Sequence, residues 1–168
     1  MAQLCRHKYC VIIAAMKIRY VHTNIIARDW KKLSLFYQRV FDCKPVPPQR
    51  DLKGDWLNRL TCIPDAHIVG EHLVLPGYES NLPTLEIFSY DSMNEGKSNT
   101  LNMIGLTHLA FEVDDVDEVL KKIIEEGGEQ LGEIVTTIYP NEALATFAYA
   151  RDIEGNLLEI QNWQKLYS

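Results

Sequence analysis

The chain repeats itself, and a repeat constrains a fold more tightly than composition does. Val21-His22 is followed seven residues later by Asp29, and Thr107-His108 is followed seven residues later by Asp115. Each aspartate opens an amphipathic stretch. In the first, Trp30, Leu33, Phe36, Tyr37, Val40 and Phe41 recur at helical spacing; in the second, Val116, Val119, Leu120, Ile123 and Ile124 do so. Asp115 with Glu118 resembles a capping box, and Gly127-Gly128 is a stop signal. Strand-like segments precede both helices, at 17–27 and 104–113. Each half closes on a matching strand, Leu85-Glu86-Ile87 with Tyr90 and Leu158-Glu159-Ile160 with Trp163.

Further β-like runs lie between helix and closing strand, at 66–75 in the first half and at 130–139 and 144–151 in the second. The economical description is an α+β fold of two paired βαβββ modules. One helix and one short sheet cannot bury an adequate core alone, so the copies must pack together or exchange across a dimer. The expected boundaries are an N-terminal extension at 1–15, a first module at 16–90, a linker at 91–103 and a second module at 104–168. A proline-rich excursion at 44–65 interrupts the first module.

Composition narrows the partners. Hydrophobic residues make up 46% and charged residues 24% of the 168, the balance of a soluble globular chain. A net charge of -6 lacks the basic footprint that phosphate backbones or anionic membranes attract, so the expected partner is a small molecule, with no nucleic acid and no membrane. Cys5, Cys10, Cys43 and Cys62 form neither a CxxC pair nor a disulfide framework, and free thiols are expected. Arg6, His7 and Lys8 precede the apolar run Tyr9 to Met16, which faintly resembles a signal peptide. The run is short, Lys17 and Arg19 follow at once, and no A-x-A cleavage site is visible. It also falls short of the roughly 20 residues that span a bilayer. The expected location is cytoplasmic.

Four residues carry the functional expectation. His22 and His108 occupy equivalent points in the first strand of each half, and Glu86 and Glu159 equivalent points in the last. A lone strand histidine is usually a satisfied polar group, and a lone Glu between Leu and Ile usually marks a wet sheet face. Here all four positions match through the repeat, and modules facing one another about a pseudo-twofold axis bring them towards one point. Two imidazoles and two carboxylates nearly neutralise one divalent ion, and mixed N/O ligation suits Zn, Ni, Co, Mn or Fe. Structural zinc prefers thiolates, so the set reads as catalytic. His67 and His72 lie five apart on a strand, facing opposite sides, and core or surface is the expectation for both.

Val-His-Thr-Asn-Ile, Leu-Phe-Tyr-Gln-Arg-Val-Phe and Pro-Thr-Leu-Glu-Ile-Phe resemble the first half of a glyoxalase/bleomycin-resistance/dioxygenase protein, a member of the vicinal oxygen chelate superfamily. Leu-Thr-His-Leu-Ala-Phe-Glu-Val-Asp-Asp and Arg-Asp-Ile-Glu-Gly-Asn-Leu-Leu-Glu-Ile resemble the second half, with Ile153 where proline is usual. The resemblance covers residues 17–164. It implies a cupped mixed sheet around a metal that substrate oxygens bind directly, and a homodimer. Members include glyoxalase I, methylmalonyl-CoA epimerase, extradiol dioxygenases and antibiotic-resistance proteins, and fold alone does not choose among them. Four protein ligands on an octahedral ion leave two sites for a chelating substrate, the pattern of the glyoxalase and epimerase branch. An Fe(II) ring-cleaving dioxygenase needs three open sites and a facial triad. The resemblance therefore implies a metal-dependent lyase or isomerase that stabilises an enediolate, with Glu159 as the base and Glu86 as its symmetric counterpart. The alternatives are that dioxygenase and a metal-free drug-binding resistance protein. Bacterial glyoxalase I carries arginine four residues after the first ligand, where this chain has Ile26, and epimerases carry glutamine at the place of Glu86.

Overall fold

A computed structural model of the protein describes residues 18–96, 99–139 and 143–165. The extension expected at 1–15 lies outside them. The first half runs β1 (His22–Ile26), α1 (Trp30–Phe41), β2 (Lys44–Lys53), α2 (Asp55–Thr61), β3 (His67–Val74) and β4 (Thr84–Tyr90). The second runs β5 (His108–Glu112), α3 (Val116–Glu125), β6 (Glu129–Ile138), β7 (Ala143–Arg151) and β8 (Leu157–Lys165). Each half forms one four-stranded mixed sheet, ordered β1-β4-β3-β2 and β5-β8-β7-β6. This is the paired-module architecture the repeat predicts.

The repeat extends to hydrogen-bond register. β1 runs parallel to β4 with Asn24 opposite Glu86, and β5 runs parallel to β8 with Ala110 opposite Glu159. In both halves the glutamate therefore faces the residue two beyond the histidine. The helices start as the sequence predicts: Asp29 accepts the Lys32 amide at 3.2 Å, and Asp115 accepts the Glu118 amide at 2.9 Å. The Ser89 hydroxyl accepts the Trp30 amide and donates to the Ala27 carbonyl, tying the start of α1 to β4.

One expectation is corrected. Residues 44–53, read as part of an irregular proline-rich excursion, form the strand β2, and 55–61 form the short helix α2. Proline cannot donate to a ladder, but β2 is an edge strand and carries a bulge between Val46 and Arg50, so Pro47 and Pro48 are tolerated. Leu57 of α2 then covers Ala66 and Ile68 in a small satellite core.

One main core joins the halves. Leu33, Phe36, Tyr37 and Phe41 of α1 share it with Leu120 and Ile123 of α3 and with Ala148, Leu158 and Ile160. Phe41 stacks on Phe111 of β5 at 3.9 Å between centroids, a contact that contributes about 1 kcal/mol beyond area burial. The Tyr37 hydroxyl donates to Asp152 at 2.9 Å, and Arg39 pairs with Glu126. Both helices thus cover the same side of the paired sheets. β1 and β5, each the first strand of its sheet, line a shared cleft of about 180 Å³ between Thr23–Ile26 and Leu106–Leu109. Cys43 is buried, and burial pushes its thiol up to about 12, which makes it unreactive, while Cys62 is exposed; both are free. Among the described residues no helix is long and apolar enough to cross a membrane.

His67 clasps three segments. Its Nδ1 lies 2.8 Å from Asp91 and its Nε2 2.8 Å from Asp51. Only the imidazolium donates from both nitrogens, and hydrogen bonds to Asp91 and then Asp51 raise the pKa above its ordinary value. A raised folded pKa contributes stability that is complete below the unfolded value, about 6.5, and fades as pH rises through the folded one. The gap in melting temperature between the wild type and His67→Gln should be wide near pH 5.5, below the unfolded value of about 6.5, and shrink at alkaline pH. An equal gap at acid and alkaline pH would contradict the double-donor clasp.

Candidate functional site

Strand alternation decides which side chains leave the core. On β4, Leu85 and Ile87 are buried under α1, so Glu86 projects from the opposite face. On β8, Leu158 and Ile160 are buried, and Glu159 projects. Ile25 and Leu109 pack on the core, which turns His22 and His108 outward with the glutamates. All four expected ligands therefore stand on the helix-averted face.

The structure gathers them as two pairs. His22 Nδ1 lies 3.3 Å from Glu86 Oε1, and His108 Nε2 lies 3.5 Å from Glu159 Oε2. Among the described residues no group of three or more His, Cys, Asp or Glu is drawn into one metal-ligating cluster. Convergence on a single ion is thus not already made in the chain; each half brings its own imidazole and carboxylate.

Sequence reasoning missed two neighbours. His72 of β3 stands directly opposite Glu86, and its Nε2 lies 3.2 Å from the same Oε1. Tyr149 of β7 holds the identical place opposite Glu159. Hydrogen bonding to Glu159, then burial, raises the Tyr149 phenol to about 12, so it stays protonated and donates to the carboxylate. Burial lowers the His72 pKa, partly opposed by the Glu86 charge. Each imidazole meets an aromatic edge: His72 lies 5.7 Å from Phe88, and His108 lies 5.6 Å from Tyr149. His67 does face away from His72, as alternation requires. The signal for His72 and Tyr149 is pairing register, which local spacing does not contain.

The donor chemistry fits a divalent ion. Both glutamate side chains are only 14% exposed, and among the described residues the basic groups within 4 Å of them are histidines, with no lysine or arginine. Half-buried carboxylates without a permanent cation call for a positive charge from elsewhere. Thr107 Oγ1 lies 3.1 Å from His108 Nδ1 and orients the ring, as an outer partner of a ligating histidine does.

Two βαβββ modules presenting matched histidine and glutamate pairs on one face define the class of protein. The model of the Glyoxalase/Bleomycin resistance protein/Dioxygenase superfamily matches residues 19–160, and the chain belongs to that superfamily. Among curated proteins none matches. A glyoxalase family protein of Bacillus cereus has the same fold at a TM-score of 0.76 and 19% identity, over 90% of this chain and 98% of that one. The fosfomycin resistance protein FosX of Listeria monocytogenes, solved with Mn(II) and sulfate, gives 0.54 and 20%, over 90% and 96%. A glyoxalase I variant from Zea mays gives 0.61 and 21%, over 85% of this chain and 44% of that one. These likenesses establish the fold.

Proposed function

We propose that this chain is a metal-dependent lyase or isomerase that removes a proton next to a carbonyl, in the manner of lactoylglutathione lyases. The observation that carries the reading is the matched geometry: two carboxylates at one repeat position, each within 3.5 Å of an imidazole on the adjoining strand. His22, Glu86, His108 and Glu159 would hold one divalent ion, Zn, Ni, Co, Mn or Fe; FosX, a member of the same fold, contains manganese. Such an ion supplies stabilisation for negative charge developing on substrate oxygens.

The remaining work falls to side chains. Glu159 accepts the substrate proton, and Tyr149, protonated across the neutral range, donates to Glu159 and fixes its direction. Glu86 provides the matching base on the other side, held by His22 and His72. An isomerase needs a base that takes a proton and an acid that returns one, and two carboxylates at symmetric positions provide both. The setting of this reading is a homodimer acting on a small molecule.

The test is metal content per chain, by plasma mass spectrometry, on protein purified without chelators or a nickel-shedding tag. Wild type should carry about one transition metal ion, and His108→Ala and Glu159→Ala close to none. Nickel, cobalt or zinc favours proton transfer, whereas iron favours the ring-cleaving dioxygenase. No metal, and none taken up on titration, would sink the catalytic reading in favour of a metal-free drug-binding protein.

A further inference from the structure

The register that matches the glutamates also matches the walls beside them, and the walls differ. In the first sheet Arg50 lies opposite Gly70, and Gly70 opposite Phe88. In the second, Val135 lies opposite Phe147, and Phe147 opposite Gln161. Both β2 and β6 bulge just before this point, between Val46 and Arg50 and between Leu131 and Val135. Arg50 and Val135 are therefore one position of the repeat, two residues along from the pairs that contain His72 and Tyr149. Alternation puts both on the face that carries the glutamates.

The first wall is cationic. Arg50 is half-buried and has no carboxylate partner among the described residues; its Nη1 donates to the Pro48 carbonyl of its own strand. That leaves further guanidinium donors free in a fork suited to a carboxylate. Its charge reaches His72, whose protonation it opposes. The second wall is apolar. Val135 is 52% exposed beside Phe147, and Tyr139, Phe147 and Trp163 form a mutual cluster with centroids 4.8 to 5.8 Å apart. Glu112, opposite Gln161 on the same face of the second sheet, is negative, so Arg50 makes the charge of the cup one-sided, positive on the first wall.

We propose that the cup takes an amphiphilic anion: a carboxylic acid with an oxygen on the adjacent carbon, bearing an aromatic or extended apolar group. The carboxylate lies against Arg50 and the apolar group against Phe147 and Trp163. A substrate of this kind fills both unlike walls at once, whereas a small polar anion would leave the aromatic wall wet. The two substrate oxygens rest on the metal-dependent reading; the two walls do not.

Calorimetric titration of the full chain, metal-free and Mn(II)-loaded, with lactate, 3-phenyllactamide and 3-phenyllactate separates these elements. 3-Phenyllactate should bind about tenfold tighter than either comparator, a gap of about 1.4 kcal/mol. Arg50→Gln should erase the advantage over the amide, about tenfold, while sparing the amide itself. Trp163→Ala should erase the advantage over lactate by a similar factor. Val135→Gln, at an exposed edge position that folding tolerates, should cost about threefold for 3-phenyllactate and leave lactate unchanged. Equal binding of acid and amide, an Arg50→Gln variant that binds 3-phenyllactate normally, or no binding by either form overturns the proposal. If the chain takes up no Mn(II) but both variants still weaken 3-phenyllactate, the metal-dependent reading fails and this one stands.

Discussion

Replacing Asp152 with alanine should remove about 4 kcal/mol of stability, read as a fall of about 10 °C in melting temperature. Asp152 is 4% exposed and accepts four hydrogen bonds, each at 2.9 Å. Three come from the turn that follows it, from the Glu154 amide and from the amide and side chain of Asn156. The fourth comes from the Tyr37 hydroxyl, which is fully buried in the other half of the molecule. The variant strands that hydroxyl without an acceptor and releases the turn leading into β8 and Glu159. Burial raises the Asp152 pKa, so the carboxylate pays for its place, but removing one member of a buried network still costs more than keeping it. Tyr37→Phe removes one donor, leaves Asp152 three, and should cost about 1 kcal/mol. Urea unfolding of the two variants measures both, and a loss below about 1 kcal/mol for Asp152→Ala would show that the network does not couple the halves.

A single methyl group at position 70 should be as damaging. An alanine Cβ at Gly70 would lie 2.1 Å from the Ile87 carbonyl oxygen, 2.4 Å from Phe88 Cδ1 and 2.8 Å from Phe88 Cα. Two of these atoms are backbone of β4, so relief requires parting β3 from β4. The expected cost is about 3 kcal/mol or more, with much of the protein insoluble on expression. Phe88 occupies the space the glycine leaves, with its ring against His72. The same change therefore disturbs Glu86, two positions along β4, and metal uptake should fall in whatever protein remains folded. Gly96→Ala is the control, since nothing lies within 4 Å of its Cβ. Comparable solubility and melting temperature for the two variants would show that β3 and β4 yield easily.

Much of this was legible in the residue order because the molecule is a duplication. His22, His108, Glu86 and Glu159 announce themselves by recurring, and Asp29 and Asp115 by capping the helices that follow. What escaped depends on contacts across strands and between halves. β2 escaped because Pro45, Pro47 and Pro48 read as loop, and only its edge position makes them admissible. His72 stands opposite Glu86 through the pairing of β3 with β4, and no local spacing encodes that register. Tyr37 and Asp152 lie 115 residues apart and meet only when the modules pack. Nor does the repeat show that His22, Glu86, His108 and Glu159 stand as two pairs, since it fixes equivalence and not distance.

β1 and β5 share a cleft but no ladder, which gives the molecule a soft mechanical coordinate. Each sheet is stiff, because every strand in it is tied by backbone hydrogen bonds. The seam between them has no strand pairing and is held by Phe41 on Phe111, Tyr37 on Asp152, Arg39 on Glu126, and Glu154 on Arg28 and the Asp29 amide. Rocking one sheet about that seam changes the aperture between the His22–Glu86 and His108–Glu159 pairs without breaking a ladder hydrogen bond of either sheet. The helices act as the hinge and the two His–Glu pairs as the jaws. An architecture of this kind adjusts its gape to the guest while both sheets keep their pairing.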